Sequence, residues 1–298
     1  MHKSCFIRVL AILVMAAVVT PIHAGEVEDF VSKYTGENGE GYMQPLADAF
    51  GASLNSGLYH DARISRVRIR LYVGMEAMMA TIGPDQKTFK AKTDNFSPEQ
   101  TVEAPTLFGK NEPVQVTGAG GTVYTFPGGM NFKRLPIAVP QATIGGIAGT
   151  DLTVRWFATS SAKDLGDIKL VGWGVRHSLS QYMPLLPLVD IAAGFYSQSF
   201  KVGDIVDAKA TLVSLQASVT KTVLVLYGGV GFESSKLDVA YEHNEAGAEP
   251  VKIDFELEGE NKMRMTLGAG LNLPGMNVHA EYNIGTQSVL SAGFGFRF

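Results

Sequence analysis

Apolar and polar side chains alternate along this chain with a period of two, which marks extended strands, not helices. Val67, Ile69, Leu71, Val73, Met75 and Ala77 alternate with Arg66, Arg68, Arg70, Tyr72, Gly74 and Glu76. In the middle, Leu152, Val154 and Trp156 alternate with Thr153 and Arg155, and Val171, Trp173 and Val175 with Gly172, Gly174 and Arg176. Further on, Ile253, Phe255 and Leu257 oppose Asp254, Glu256 and Glu258, and Met263, Met265 and Leu267 oppose Arg264, Thr266 and Gly268. Val278, Ala280 and Tyr282 then alternate with His279, Glu281 and Asn283. The final stretch sets Leu290, Ala292, Phe294, Phe296 and Phe298 against Ser291, Gly293, Gly295 and Arg297. Gly259-Glu260-Asn261, Leu273-Pro274-Gly275 and Gly285-Thr286 are short enough to join antiparallel neighbours. Residues 223–233 are apolar on both faces and carry no clear phase.

The charges decide which face looks where. Arg66, Arg68 and Arg70 turned toward lipid would cost about 2–4 kcal/mol each near a bilayer midplane. In a soluble sandwich the charged face would meet water instead, but aromatic-tipped strands of about ten residues suit a lipid-facing wall better. The pattern therefore predicts an all-β fold, an antiparallel transmembrane β-barrel of about twelve strands, with fourteen if weak segments at 121–126 and 236–241 also pair. Weak strands at 88–93 and 135–143 are included in the twelve. The expected lumen lining is Arg66, Arg68, Arg70, Glu76, Arg155, Arg176, Asp254, Glu256, Arg264, His279 and Glu281.

The N-terminal region breaks this pattern. Lys3 and Arg8 precede an apolar run at 9–19, and Ile22-His23-Ala24 reads as a cleavage site, so 1–24 is expected to be a signal peptide. The apolar run is about half the roughly 20 residues a spanning helix needs. Cleavage would remove Cys5, the single cysteine, together with Lys3 and Arg8, and leave a more acidic chain. Residues 25–63 show helical spacing instead. Val27, Phe30, Val31 and Tyr34 form one short apolar stripe; Leu46, Ala49, Phe50 and Leu54 form another after Pro45. Gly36, Gly39 and Gly41 separate the two, and Asn55-Ser56-Gly57 ends the second. Helices this short need a surface to bury against. Residues 25–63 are expected as a plug through Phe30, Tyr34, Leu46, Phe50 and Leu54, and 64–298 as the barrel.

Composition narrows the chemistry. Hydrophobic residues make up 46% of the chain, yet the longest uncharged run, 113–132, is rich in Gly, Thr and Pro and has no helical period. A net charge of −4 without a basic stripe argues against nucleic acid as a partner. The histidines lack metal-ligand spacing, and the glycine-rich runs at 118–121 and 128–129 lack the Lys-Ser or Lys-Thr of a phosphate loop, so no metal or cofactor is expected. His177 and Ser178 are adjacent and so point to opposite faces of a strand, and His279 with Glu281 reads as wall lining. No enzyme is expected.

Aromatics at Phe294, Phe296 and Phe298 resemble the C-terminal signal of bacterial outer-membrane barrels. That resemblance implies recognition of this strand by the barrel-assembly machinery, a bilayer as partner, and a bacterial outer-membrane location after export. A short helical hatch before a medium-sized barrel resembles the long-chain fatty-acid transporters, although their Asn-Pro-Ala hatch motif is absent. Pro45-Leu46-Ala47-Asp48-Ala49-Phe50-Gly51, Leu54-Asn55-Ser56-Gly57-Leu58-Tyr59 and Gly172-Trp173-Gly174-Val175-Arg176-His177 are closer to an uncharacterised family of predicted outer-membrane barrels. The expectation is passive transport of a small hydrophobic or amphipathic ligand, with Pro136, Pro140, Gly145 and Gly146 as candidates for a break in the wall. A structural barrel serving assembly or export, contacting partners through loops 93–131 and 234–250, is the alternative.

Overall fold

The computed structural model describes residues 36–93, 96–162, 166–183, 188–203, 206–243 and 251–298. Helix α1 (Gly36–Leu54) leads into β1 (Arg70–Thr81). Two small hairpins follow, β2 (Thr88–Lys92) with β3 (Thr101–Pro105), and β4 (Val114–Thr117) with β5 (Val123–Phe126). Then come β6 (Arg134–Ile147), β7 (Thr150–Ala162), β8 (Gly166–Ser178), β9 (Asp190–Val202), β10 (Val206–Lys221) and β11 (Leu224–His243). The chain finishes with β12 (Val251–Glu258), β13 (Met263–Leu273), β14 (Met276–Ile284) and β15 (Val289–Arg297). Each strand from β6 to β11 pairs with the next, β11 pairs on to β13, and β13, β14, β15, β1 and β6 complete the circuit, all antiparallel. Ten strands thus close on themselves, and each has a paired neighbour on both sides over at least part of its length.

Ten replaces the expected twelve to fourteen. Residues 88–92 and 123–126 are extended, but they pair in the separate hairpins. Residues 236–241 simply continue β11. β12 pairs only with the far end of β11, from Lys236–Glu258 to His243–Val251, and stands outside the ring. Alternation reports that a segment is extended; it does not report which sheet receives it.

Two-residue turns at 148–149, 222–223 and 274–275 lie at one end, where the Phe298 N–H also donates to the Leu71 carbonyl. Ala148 (φ 52°) and Gly149 (φ 73°) give the first the left-handed pair that a tight hairpin needs. The long segment 82–133 lies at the opposite, loop end.

The wall changes character with height while its alternation stays constant. On β11, inward positions run from Tyr227 through Glu233 and Ser235 to Leu237 and Val239; outward positions run from Leu226, Val230 and Phe232 to Lys236. β10 repeats this, with Ser218, Gln216 and Ser214 inside near the turns and Leu212, Ala210 and Ala208 inside near the loops. The lumen is therefore polar in its lower storey and apolar in its upper one. Outside, Trp156, Trp173, Phe195, Leu226, Phe294 and Phe296 belong to an apolar belt. Above it sit charges, Lys201 with Asp207 at 2.8 Å and Lys236 with Glu256 at 2.6 Å. This inversion corrects the reading of Glu256. Leu257 packs inward and Glu256 is exposed, because the strand there has left the apolar belt. Asp254 lies on β12, and its side chain is outside the described set.

α1 fills the upper storey. Its first turn meets β2, where Asn38 and the Lys92 backbone exchange two bonds of 2.8 and 3.0 Å. Lower down, the Phe50 ring lies 5.2 Å from that of Phe200, Leu46 is partly buried, and Leu54 is fully buried. The expected break at Gly36, Gly39 and Gly41 is absent, and Pro45 lies inside the helix. Packing explains the difference. A Cβ on Gly41 would strike the Phe89 ring and one on Gly51 would strike Ser235, so these glycines let the helix approach the surrounding walls. Asp48 accepts from Gln44 Nε2 and from the Glu260 N–H, yet burial pushes its carboxyl above the usual range. The first expected helix, with Phe30 and Tyr34, lies outside the described residues, as does 1–24.

Candidate functional site: the filled lumen and its two openings

A helix ends with backbone carbonyls that lack partners. Here the barrel wall supplies guanidinium groups to them, as favours a helix C-terminus. Arg264 donates to the carbonyls of Ala52 (2.8 Å) and Asn55 (2.7 Å) and to Ser56 Oγ (2.9 Å). Arg155, only 1% exposed, donates to the carbonyls of Leu54 (3.1 Å), Ser56 (2.8 Å) and Gly57 (2.6 Å). Arg176 donates to the Asp61 carbonyl (2.5 Å). On the opposite sign, Glu281 accepts the Gly57 N–H at 2.7 Å. The descending chain from Ala52 to Asp61 is thus gripped from several strands.

Buried charge on the wall is matched within the wall. Arg264 pairs with Glu233 at 2.8 Å, Arg176 with Asp151 at 2.7 Å, and Glu76 with His279 at 2.9 Å. Tyr72 Oη donates to Glu76, Tyr227 Oη to Glu281, and Arg155 Nε to Gln141. These polar contacts fill the lower storey around the descending chain.

Among the described residues, two openings interrupt the enclosure. The first is a cavity of about 260 Å³ at the short-turn mouth, where Arg63, Arg68, Arg70, Arg176 and Arg297 surround Asp61 and Asp151. The second is in the wall. Among the described residues, the β6–β7 ladder runs only from Gln141–Arg155 down to Ile147–Thr150. β6 stays paired with β1 from Arg134 to Gly145, and β7 pairs with β8 from Thr150 up to Thr159 before its register shifts. Above Gln141 the two strands therefore part. Pro136 and Pro140 both fall on this stretch of β6. Residues four apart direct their backbone nitrogens to the same side, and with the β1 ladder intact that side is the one facing β7. Neither proline has an N–H to offer there. Behind the seam lie the inward side chains of Ile137 and Val139, with Phe157 packed on the same apolar cluster. Gly145 and Gly146 play a different part. They form the bulge next to the 148–149 turn, where a Cβ would strike Asp151 or the Arg68 carbonyl.

Of the residues expected to line the lumen, Arg155, Arg176, Arg264, Glu76, His279 and Glu281 are inward and buried. Arg70 is half-buried at the mouth. Arg66 and Arg68 are exposed below it, because β1 begins only at Arg70; Arg66 reaches the Gln181 carbonyl, and Arg68 edges the cavity. Phe294, Phe296 and Phe298 point outward. Sequence reasoning overlooked Asp151 and Glu233. Asp151 shares a face with Arg155, and the odd-numbered Tyr227 and Glu233 would have phased the ambiguous stretch 223–233. His177 and Ser178 face opposite ways: Ser178 is buried, whereas His177 bonds Thr150 Oγ1 and Tyr182 Oη. Among the described residues no three His, Cys, Asp or Glu side chains gather as a metal site.

A closed antiparallel ring with an apolar outside, a polar lower lumen and a helix within it is the build of a transmembrane β-barrel. The chain belongs to a family of unknown function, DUF6588, whose model matches residues 1–298. No curated protein matches the sequence. Among solved structures it is similar to Ail, the attachment invasion locus protein of Yersinia pestis, at 9% identity over 78% of this chain and 100% of that one, with a TM-score of 0.26. It is likewise similar to a loop L8 deletion mutant of OmpT, an outer-membrane protein of Vibrio cholerae (9%, 78% and 99%, 0.28). The translocator domain of the autotransporter NalP from Neisseria meningitidis is a third (13%, 84% and 94%, 0.27). Similarity this low leaves function to be argued from the chain's own residues.

Proposed function

We propose that the protein is an outer-membrane barrel that passes a small hydrophobic or amphipathic molecule sideways between the apolar upper storey of its lumen and the bilayer. The observation that carries this reading is the parting of β6 from β7 above Gln141–Arg155, next to the apolar upper storey. Axial passage would have to break the arginine grip on residues 52–61, whereas lateral passage needs only displacement of apolar side chains. In this orientation the short turns face the periplasm and segment 82–133 faces outward, as in barrels of this class. The apolar belt supports lipid as the surrounding medium, since exposed apolar surface on this scale is not kept in water.

A cross-link tests the reading. Ala138 and Ala158 would oppose one another if the ladder continued, and Cys5 is the single native cysteine, so Ala138→Cys with Ala158→Cys gives a clean pair. Proteoliposomes carrying the pair should take up a fluorescent fatty acid, and bridging the cysteines with a bis-maleimide should abolish the gain over empty liposomes. Equal uptake with and without the bridge, or no gain over empty liposomes, would overturn it. The filled lumen supports a second reading, a barrel that serves as an assembly or export partner. Stoichiometric co-purification of another envelope protein with a barrel inactive in uptake would favour that reading.

A further inference from the structure

The cavity at the short-turn mouth holds more guanidinium groups than the grip on the plug uses. Arg63, Arg68, Arg70, Arg176 and Arg297 line it, against Asp61 and Asp151. Asp151 is already engaged by Arg176 at 2.7 Å. Asp190, beyond the lining, lies within electrostatic reach of Arg63 and Arg70. The terminal carboxylate of Phe298 also borders the cavity, yet cations still outnumber carboxylates, and among the described residues Arg63, Arg68, Arg70 and Arg297 make no ion pair. Like charges crowded in this way repel one another unless an anion joins them.

A second observation is independent of that count. Arg176 is 5% exposed, and its Nε has no hydrogen-bond partner. His60 Nδ1, also on the cavity lining, is another buried atom without a partner. Buried polar atoms are ordinarily satisfied, so these two orphans in the cavity wall are unused bonding capacity that a small shift of either side chain would bring to a ligand.

We infer that this cavity binds a phosphate group, carried either by a free phosphate or by a lipid headgroup. Several planar guanidinium forks converging from different elements match tetrahedral phosphate oxygens better than they match a single flat carboxylate. A cavity of about 260 Å³ takes a phosphate with a short polar arm and leaves no room for acyl chains. Leu71, Leu273 and Phe298 border it where the apolar belt begins, so a headgroup reaches it with its chains still in the bilayer.

The test uses the full-length protein in a phosphate-free detergent. One arm titrates inorganic phosphate by calorimetry. The other measures, by native mass spectrometry, retention of phosphatidylglycerol against diacylglycerol, which lacks the phosphate. Saturable binding in either arm is expected, weakened on the order of 10-fold per arginine removed in Arg70→Gln/Arg297→Gln. Exposed Arg134 at the loop end provides the control, and Arg134→Gln should leave binding unchanged. Binding of inorganic phosphate alone identifies a free-anion site, and retention of phosphatidylglycerol alone identifies a headgroup site; both support the inference. If the double variant loses its resistance to unfolding in SDS, the exposed Arg63→Gln replaces it. No saturable binding by the native protein in either arm, or equal binding by the variants, overturns the inference. Bridging the β6–β7 seam should leave phosphate binding intact, which separates this result from the transport reading.

Discussion

Glu76 Oε2 and His279 Nε2 lie 2.9 Å apart although their strands are not neighbours. β15 runs between β1 and β14, and its inward residue at this level is Gly293, in register with Glu76 on one side and His279 on the other. The side chain that Gly293 lacks is the space in which the two meet. A Cβ there would run into both Glu76 Oε2 and His279 Nε2. Gly293→Ala should therefore destabilise the barrel by about 1–3 kcal/mol, the usual range for overpacking. A urea titration of refolded protein measures it, and an unchanged midpoint would show that the pair has slack.

Arg264 is tied to α1 through Ala52, Asn55 and Ser56 and to the wall through Glu233. Arg264→Met leaves Glu233 buried without its cation, a change that costs about 3–5 kcal/mol. The plug loses part of its grip at the same time. Planar-bilayer recordings should change from nearly silent to discrete conducting steps, and a variant as silent as the parent would mean that the remaining arginines suffice.

Val230 and Ser234 point outward from the same strand, four residues apart, across the change in the wall's outer character. Val230→Arg should cost about 2–4 kcal/mol if that position is near the midplane, whereas Ser234→Arg should cost about 0–1. Folding yield into vesicles, read as a shift in gel mobility, distinguishes them. Equal yields would place the belt elsewhere.

The chain has two tryptophans, Trp156 and Trp173, and both face outward. Brominated acyl chains should quench most of the emission of the reconstituted protein, and aqueous iodide should quench little. The reverse would move these strands out of lipid.

The lower wall is readable from the sequence because one selection acts on each face. Outside is lipid and inside is a polar chain, so Met263, Met265 and Leu267 separate cleanly from Arg264, Thr266 and Gly268. Once β11 and β12 rise above the belt, both selections reverse. The alternation of Glu256 and Leu257 persists while its meaning changes sign, and period alone carries no mark of height. The first half of α1 was hidden for another reason, while its second half from Leu46 to Leu54 was legible. Gly36, Gly39, Gly41 and Pro45 oppose a helix locally, and only the nearness of Phe89 and Ser235 makes small residues fit. Pro136 and Pro140 mark the stretch where the β6–β7 ladder is missing, because an absent N–H acts the same way in any sheet. The cationic cavity escaped notice since its arginines come from segments distant in sequence, from Arg63 to Arg297.

Residues 36–61 pass down the inside of a ring whose closure is the β1–β15 ladder. Among the described residues that inner chain is joined to the wall only through β1, so a loosened filling stays tethered at the short-turn mouth beside the strands it left. It behaves as a stopper on a leash, and its return to Arg155 and Arg264 is an intramolecular event at high effective concentration.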